Sequence, residues 1–277
     1  MELATELRLG FIPYLNCVPC FHYLKENGFL GKLVGGVPAE LNSLLQQGQL
    51  DVSPSSSFEY ARNWKNYLLL PGHSISSSGR VRSVLLFSPV AISELSGREI
   101  AITGESATSI NLLRIILREF YNLDSVSDTV PDLPIENLIE QRKPALLIGD
   151  RALRLVSQLP AGMKVFDLGE MWYQQTGLPF VFALWMIHRQ AAERFSLSLS
   201  ALGEQLTQSR RQFMCEPVPI AKRLAETVGL SADSIINYWR IIDYQLEEEH
   251  LQSLQLFFGL CQKYQLLDDH PELHFLN

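Results

Sequence analysis

The chain has 277 residues, of which 47% are hydrophobic and 19% are charged, a composition that excludes an intrinsically disordered protein. The net charge is -7 and no basic stretch offsets it, which argues against a nucleic-acid partner. The length is sufficient for two domains with hydrophobic cores of their own.

A membrane partner is not expected either. The longest apolar run, residues 178–187, contains Pro179 and is too short to span a bilayer. The N-terminal sequence carries Glu2, Glu6 and Arg8, and it lacks the basic start and the continuous apolar core of a secretory signal peptide. We therefore expect a cytoplasmic protein.

The first 88 residues alternate short apolar runs with helical patterns, as an α/β fold does. The predicted strands lie at residues 7–12, 32–37, 50–53, 67–70 and 81–87. Helices are predicted from about residue 17 to 27 and from Pro38 to Gly48, because Pro favours the first helical turn and Gly ends helices. Pro71 and Gly72 are expected to end the fourth strand, and a loop rich in serine and glycine follows.

A second α/β unit begins near residue 89. Its predicted strands lie at residues 99–103, 144–148, 164–168 and 180–187, the last being apolar throughout, as a central buried strand would be. Helices are predicted from Ser106 to Phe120, from Asp150, and over 170–175, where Gly177 is expected to close the last one. Beyond Arg189 we predict no strand but four helical segments, at roughly 190–213, 218–228, 231–240 and 246–264.

Two of these strands, at 81–87 and 180–187, are interpreted as crossings between two α/β lobes. The first lobe would comprise residues 1–88 and 183–277, including the helical tail, and the second would comprise residues 89–182. A unit inserted through two crossings is typical of proteins that close on a ligand by a hinge. In such folds the ligand binds at the carboxyl ends of strands and at helix N-termini.

Three polar stretches occupy such positions. Asn16 follows the first strand, Ser56 lies in the serine run after the third, and Ser106, Thr108 and Ser109 begin a helix. Free N–H groups and hydroxyls at a helix start can hold a carboxylate or phosphate, although helix capping alone explains the serines equally well. No P-loop is present, so nucleotide hydrolysis has no support.

Cys17 and Cys20 form a C-x-x-C pair, but no second pair accompanies it, and His22 alone does not complete a tetrahedral zinc site. We therefore interpret both as buried packing thiols and expect no metal and no cofactor. The sequence also lacks the common hydrolase, metalloprotease and dinucleotide-binding motifs. Taken alone, these residues indicate a two-lobed protein that binds a small anion and leave binding protein and enzyme open.

Six stretches resemble one known family. They are PYLNCVP at 13–19, the turn at 48–51 with SSFEYAR at 56–62, SISSSGRVRSVLLFS at 74–88, TSINLLR at 108–114, LLIGDRALR at 146–154 and DLGEMWYQQTGLPFVFALW at 167–185. In this order they resemble the MqnA/MqnD family of menaquinone-biosynthesis enzymes, and within it the branch of chorismate dehydratases. The resemblance implies a fold of the periplasmic-binding-protein type II class. It also implies loss of water from chorismate, giving 3-[(1-carboxyvinyl)oxy]benzoate.

The resemblance also assigns residues. The family's functional asparagine falls on Asn16, and its functional serine, in a G-x-V-x-S motif, falls on Ser83. The family often has Pro where this chain has Arg80. The sister 1,4-dihydroxy-6-naphthoate synthase uses a histidine base, which the corresponding segments here lack. A dehydratase is therefore expected, with chorismate as its small-molecule partner; the alternatives are the sister synthase and a non-catalytic small-anion-binding protein.

Overall fold

A computed structural model describes residues 6–277. The expectation about a signal peptide depends partly on residues 1–5, which lie outside the described residues. The first of two sheets has five strands in the order β2-β1-β3-β10-β4. Their bounds are β1 Arg8–Phe11, β2 Lys32–Gly35, β3 Val52–Ser56, β4 Tyr67–Ser77 and β10 Phe180–His188. β1 pairs in parallel with β2 and β3, whereas β10 lies antiparallel between β3 and β4. This central place explains the unbroken apolar sequence of β10.

The second sheet also has five strands, in the order β7-β6-β8-β5-β9. Their bounds are β5 Val84–Ser88, β6 Glu99–Ile102, β7 Ser127–Thr129, β8 Ala145–Ile148 and β9 Lys164–Asp167. β6 is parallel to β7 and β8, and β5 is antiparallel to β8 and β9. The chain passes from the first sheet to the second over residues 78–83 and returns over 177–179, at the ends of the strands interpreted as crossings.

Twelve α-helices accompany the sheets within residues 6–277. Their bounds are α1 Val18–Phe21, α2 Pro38–Gln46, α3 Ser57–Asn63, α4 Ala107–Ile115, α5 Ile135–Glu140, α6 Gly149–Leu155, α7 Leu168–Thr176, α8 Arg189–Arg194, α9 Ser196–Cys215, α10 Pro217–Val228, α11 Ala232–Ile241 and α12 Glu248–Lys263. A π-helical segment, Ile116–Phe120, continues α4. No described helix is long and apolar enough to cross a membrane.

Several predicted bounds were wrong, and long-range pairing explains the largest difference. β4 continues through Pro71 and Gly72 to Ser77, where the sequence predicted an end at residue 70. The pairing of β4 with β10 shifts register between Leu184 and Met186, so Pro71 and Gly72 bulge out of the ladder and need no partner there. β3 likewise extends to Ser56 through Pro54, beyond the point where it pairs with β1.

Other differences are local. Arg82 has φ +60, which no strand residue adopts, so β5 begins at Val84 and Ser83 precedes it. The helix predicted to run to residue 27 ends at Phe21 and continues as turns, and the segment 190–213 divides into α8 and α9 at Phe195. β7 and α5 were not predicted from the sequence.

The tail helices pack against the first sheet, α12 also contacts α4, and one large hydrophobic core includes residues of both sheets. Its largest fully buried side chains include Trp172 in α7, Trp185 in β10 and Trp239 in α11. Trp172 donates a hydrogen bond from Nε1 to Ser253 Oγ in α12 at 3.1 Å. Two α/β lobes followed by C-terminal helices therefore form the architecture that the sequence predicted.

Candidate functional site

A cavity of about 410 Å³ lies between the two sheets. It is bounded by the loop after β1, the ends of β3 and β8, and the starts of α2, α3 and α4. The predicted site residues that line it are Asn16, Ser56, Ser83, Ser106 and Ser109. The structure thus brings five of the six candidates to one place, as expected for strand ends and helix starts in an α/β fold.

Asn16 lies in the loop after β1, and its side-chain Oδ1 is buried without a hydrogen-bond partner among the described residues. Its backbone is held firmly, because the Tyr244 hydroxyl donates to the Asn16 carbonyl oxygen at 2.9 Å. The neighbouring Leu15 carbonyl accepts a hydrogen bond from Trp239 Nε1 at 2.8 Å, and the Leu15 N–H donates to Asp150 Oδ1 at 3.2 Å. A buried, unpaired amide oxygen on a fixed loop indicates a ligand-binding group.

Ser83 is only 4% exposed and lies at the end of the first connection between the sheets. Its Oγ accepts a hydrogen bond from the Tyr238 hydroxyl at 2.9 Å. Asp167 holds the two residues before Ser83, because its carboxylate accepts hydrogen bonds from the N–H groups of Val81 at 3.1 Å and Arg82 at 2.7 Å. These bonds offset the strain of the left-handed backbone at Arg82 and fix the backbone that leads to Ser83.

The remaining serines combine capping with a place in the cavity lining. Ser56 Oγ accepts from the Glu59 N–H at 3.3 Å at the start of α3, and Ser106 Oγ accepts from the Ser109 N–H at 3.3 Å at the start of α4. The first turn of α4 therefore faces the cavity with backbone N–H groups that have no partner within the helix. That end of a helix attracts a carboxylate.

Thr108 does not line the cavity. It is fully buried, and its Oγ1 accepts a hydrogen bond from the Phe58 N–H at 2.9 Å and lies 3.3 Å from Ser57 Oγ. Thr108 therefore joins the start of α4 to the start of α3, and contact with a bound ligand stays an untested prediction.

Two further lining residues with unpaired polar atoms were not predicted from the sequence. Ser55 Oγ and Asn42 Oδ1 are buried and lack partners among the described residues, as Asn16 Oδ1 does. Ser55 belongs to the serine run after the third predicted strand. Its pairing with Leu184 of β10, which the sequence does not show, places it in the cavity lining. Asn42 lies in the middle of α2, and an isolated helical asparagine gives no signal in sequence.

The charged side chains of the lining are mostly engaged. Glu59 accepts hydrogen bonds from Arg62 at 2.5 Å and from Asn63 at 2.7 Å. Glu105 pairs with Arg151 at 2.9 Å. Arg62 is the one Lys or Arg among the described residues that line the cavity. Its side chain is 59% exposed, and its charge is balanced by the pair with Glu59.

Neither a phenolate nor a thiolate is available in the lining at neutral pH. Burial, with help from Glu105 and Asp150, raises the pKa of Tyr14 to about 12. Burial also raises the pKa of Cys17 well above its ordinary value. Cys17 and Cys20 are both buried free thiols. Residues 6–277 contain no cluster of His, Cys, Asp and Glu that could hold a metal, and no histidine lines the cavity.

Solved structures share this fold at low sequence identity. The alkanesulfonate-binding protein of Xanthomonas axonopodis pv. citri, bound to MOPS, superposes with a TM-score of 0.73 at 13% identity, covering 98% of this chain and 97% of that one. The periplasmic aliphatic sulphonate binding protein of Escherichia coli gives a TM-score of 0.71 at 14% identity, covering 97% and 90%. The periplasmic-binding-protein fold predicted from the sequence is confirmed.

Curated relatives are more similar in sequence. A chorismate dehydratase of Thermus thermophilus is 33% identical over 263 residues, covering 90% of this chain and 93% of the relative. A chorismate dehydratase of Campylobacter jejuni is 27% identical and covers 91% and 96%. A 1,4-dihydroxy-6-naphtoate synthase of Thermus thermophilus is 25% identical and covers 76% and 75%. The family model described as menaquinone biosynthesis matches residues 7–263, and the chain therefore belongs to this family.

Proposed function

We propose that this protein is a chorismate dehydratase, a carbon–oxygen lyase that removes water from chorismate to give 3-[(1-carboxyvinyl)oxy]benzoate. One observation carries the proposal beyond family membership. Asn16 and Ser83, the two residues that the family resemblance assigns to the reaction, line the same cavity although 66 intervening residues separate them in sequence. The cavity volume of about 410 Å³ lies in the lower part of the range typical of small-molecule sites.

Chorismate carries two carboxylates, and the cavity offers donors suited to them. The first turn of α4, from Ser106 to Ser109, would hold one carboxylate through backbone N–H groups and hydroxyls. The Arg62 guanidinium adds a further donor in the lining, although its charge is balanced by the pair with Glu59. Asn16 and Ser83 would then bind the leaving hydroxyl or the enolpyruvyl carboxylate.

The reaction breaks a ring C–H bond and the neighbouring C–O bond, and the electron pair of the C–H bond forms the new ring double bond. The electron pair of the C–O bond leaves with the hydroxyl, which takes up the released proton and departs as water. A base must accept the proton, but the lining carboxylates Glu59 and Glu105 are paired with arginines, and Tyr14 and Cys17 stay protonated. We therefore propose that the substrate's own enolpyruvyl carboxylate takes the proton. The protein orients the substrate and excludes water, while aromatisation of the ring drives the step.

Incubation of the purified protein with chorismate, without added metal, tests the proposal. Mass spectrometry should detect a product lighter by one water, with the ultraviolet spectrum of an aromatic ring. Asn16→Ala and Ser83→Ala should each lower kcat on the order of 100-fold, because each removes a positioned hydrogen-bonding group. Ser78→Ala, at an exposed serine of the same connection, is the matched control and should keep full activity.

Other results would redirect the assignment. Binding of chorismate without turnover would indicate a binding protein. Conversion of the sister synthase's substrate in place of chorismate would move the chain to the branch whose Thermus thermophilus member is 25% identical. We also propose that the protein acts in the cytoplasm, and cell fractionation with detection of the native protein tests this location.

A further inference from the structure

Three aromatic residues of the helical tail each donate one hydrogen bond to the two loops that carry Asn16 and Ser83. The Tyr238 hydroxyl donates to Ser83 Oγ at 2.9 Å, and Trp239 Nε1 donates to the Leu15 carbonyl at 2.8 Å. The Tyr244 hydroxyl donates to the Asn16 carbonyl at 2.9 Å. The three donors are at most 5% exposed, so water does not compete for these bonds.

The direction of the bond between Tyr238 and Ser83 follows from the surrounding groups. Within residues 6–277 the Tyr238 hydroxyl has no hydrogen-bond partner other than Ser83 Oγ, so its proton must point to that atom. The Ser83 proton then has only the Val81 carbonyl within the protein, at 3.4 Å, which is too long for a strong O–H to O bond. Ser83 lines the cavity, so its proton remains available to a ligand there.

We propose that Tyr238 is a positioning residue for the reaction. By occupying a lone pair of Ser83 Oγ, it makes Ser83 a hydrogen-bond donor toward the substrate and polarises that donor. Trp239 and Tyr244 are positioning residues for the other loop, because their hydrogen bonds fix the backbone that presents the Asn16 amide. This inference rests on the proposed function, and it assigns the segment 238–244 to the active site.

The inference is specific because tail tyrosines also serve purely structural contacts. Tyr264, after the end of α12, donates from its hydroxyl to Glu119 at 2.8 Å and does not line the cavity. Tyr264→Phe removes a tail hydroxyl and one hydrogen bond, as Tyr238→Phe does. The Tyr264 hydroxyl bonds to neither of the loops that carry Asn16 and Ser83. Tyr264→Phe is therefore the matched control.

The test measures kcat and KM for chorismate in Tyr238→Phe, Tyr264→Phe, Ser83→Ala and the double variant with Tyr238→Phe and Ser83→Ala. Tyr238→Phe keeps the buried ring, so its Tm should stay within about 3 °C of the wild-type value. Its kcat should fall about tenfold, while KM changes by less than about threefold. Tyr264→Phe should match the wild type. In the Ser83→Ala background, adding Tyr238→Phe should change kcat by less than about twofold, because Tyr238 acts through Ser83.

Tyr244→Phe provides a second measurement that does not depend on Tyr238. It should lower kcat in the wild type but have little further effect once Asn16 is Ala. Wild-type turnover with a kcat for Tyr238→Phe within twofold of wild type would overturn the inference and leave the proposed function intact. An equal loss in both Ser83 backgrounds would overturn it as well, because Tyr238 would then act independently of Ser83. A wild type without activity toward chorismate would overturn the proposed function and, with it, this inference.

Discussion

Asp167 offers the sharpest test of how the structure holds the Ser83 segment. Its buried carboxylate accepts hydrogen bonds from the N–H groups of Val81 at 3.1 Å, Arg82 at 2.7 Å, Gly169 at 3.0 Å and Glu170 at 3.2 Å. One side chain thus caps helix α7 and closes the connection that leads to Ser83. Burial raises the pKa of Asp167, so its contribution to stability comes from these hydrogen bonds and not from a favourable charge.

Asp167→Ala should therefore be severely destabilised. Loss of the cap costs about 1 kcal/mol, and leaving the N–H groups of Val81 and Arg82 without an acceptor costs about 1–3 kcal/mol each. Relief from burying the carboxylate offsets part of this, so we expect a loss of about 3–4 kcal/mol in the free energy of unfolding. Arg82, with φ +60, is then free to relax to an ordinary conformation, and Ser83 moves with it.

The assay is urea unfolding followed by circular dichroism, together with kcat for chorismate at a temperature where the variant is folded. We expect a fall in kcat of at least tenfold in the folded variant, because Ser83 is displaced. Arg82→Gly is the control, since glycine adopts φ +60 without strain and should keep both stability and kcat. A folded Asp167→Ala variant with wild-type kcat would refute the reasoning that Asp167 positions Ser83.

Three further predictions concern stability. Burial lowers the pKa of His73 from 6.5 to about 4, so the unfolded chain takes up this proton more readily than the native protein. The free energy of unfolding should therefore fall by up to about 3 kcal/mol as the pH falls from 6.5 to 4. Urea unfolding of His73→Gln should lack this loss. Asp51→Ala should lower the free energy of unfolding by about 3 kcal/mol in urea, because Asp51 accepts hydrogen bonds from Arg8 Nε at 2.9 Å and Nη2 at 2.8 Å. A loss below about 1 kcal/mol would show that the ion pair is dispensable. Thr108→Val should lose about 1–3 kcal/mol by stranding the Phe58 N–H, whereas Thr108→Ser should retain most of the stability.

Local patterns in the sequence were sufficient for elements whose burial is uniform or whose ends carry typical residues. The apolar run in β10 predicted a central strand, and Gly177 correctly marked the end of α7, where it adopts φ +71. Ser56 and Ser106 were expected at helix starts, and both are N-caps. In these cases the determining physics acts within a few residues, so the sequence shows it.

Features determined by distant partners could not be predicted in this way. Pro71 and Gly72 are a sound signal for a strand end, but a register shift against β10, about 115 residues away, carries β4 past them. The inward orientation of Ser55 depends on the same strand. Tyr238 lies 155 residues from the hydroxyl that it contacts, and nothing in its helix distinguishes it from a core tyrosine. The family resemblance assigned a role to Ser83, but only the folded chain shows which side chain contacts its hydroxyl.

The contacts of the tail with both lobes also bear on how a substrate reaches the cavity. In proteins that close on a hinge, opening separates lobes that are joined mainly by their crossings. Here α12 is bonded to α7 through Ser253 and Trp172, and Lys263 at its end pairs with Glu119, at 2.5 Å. A separation of the lobes that admits a substrate must therefore break these bonds or carry the tail along with the second lobe.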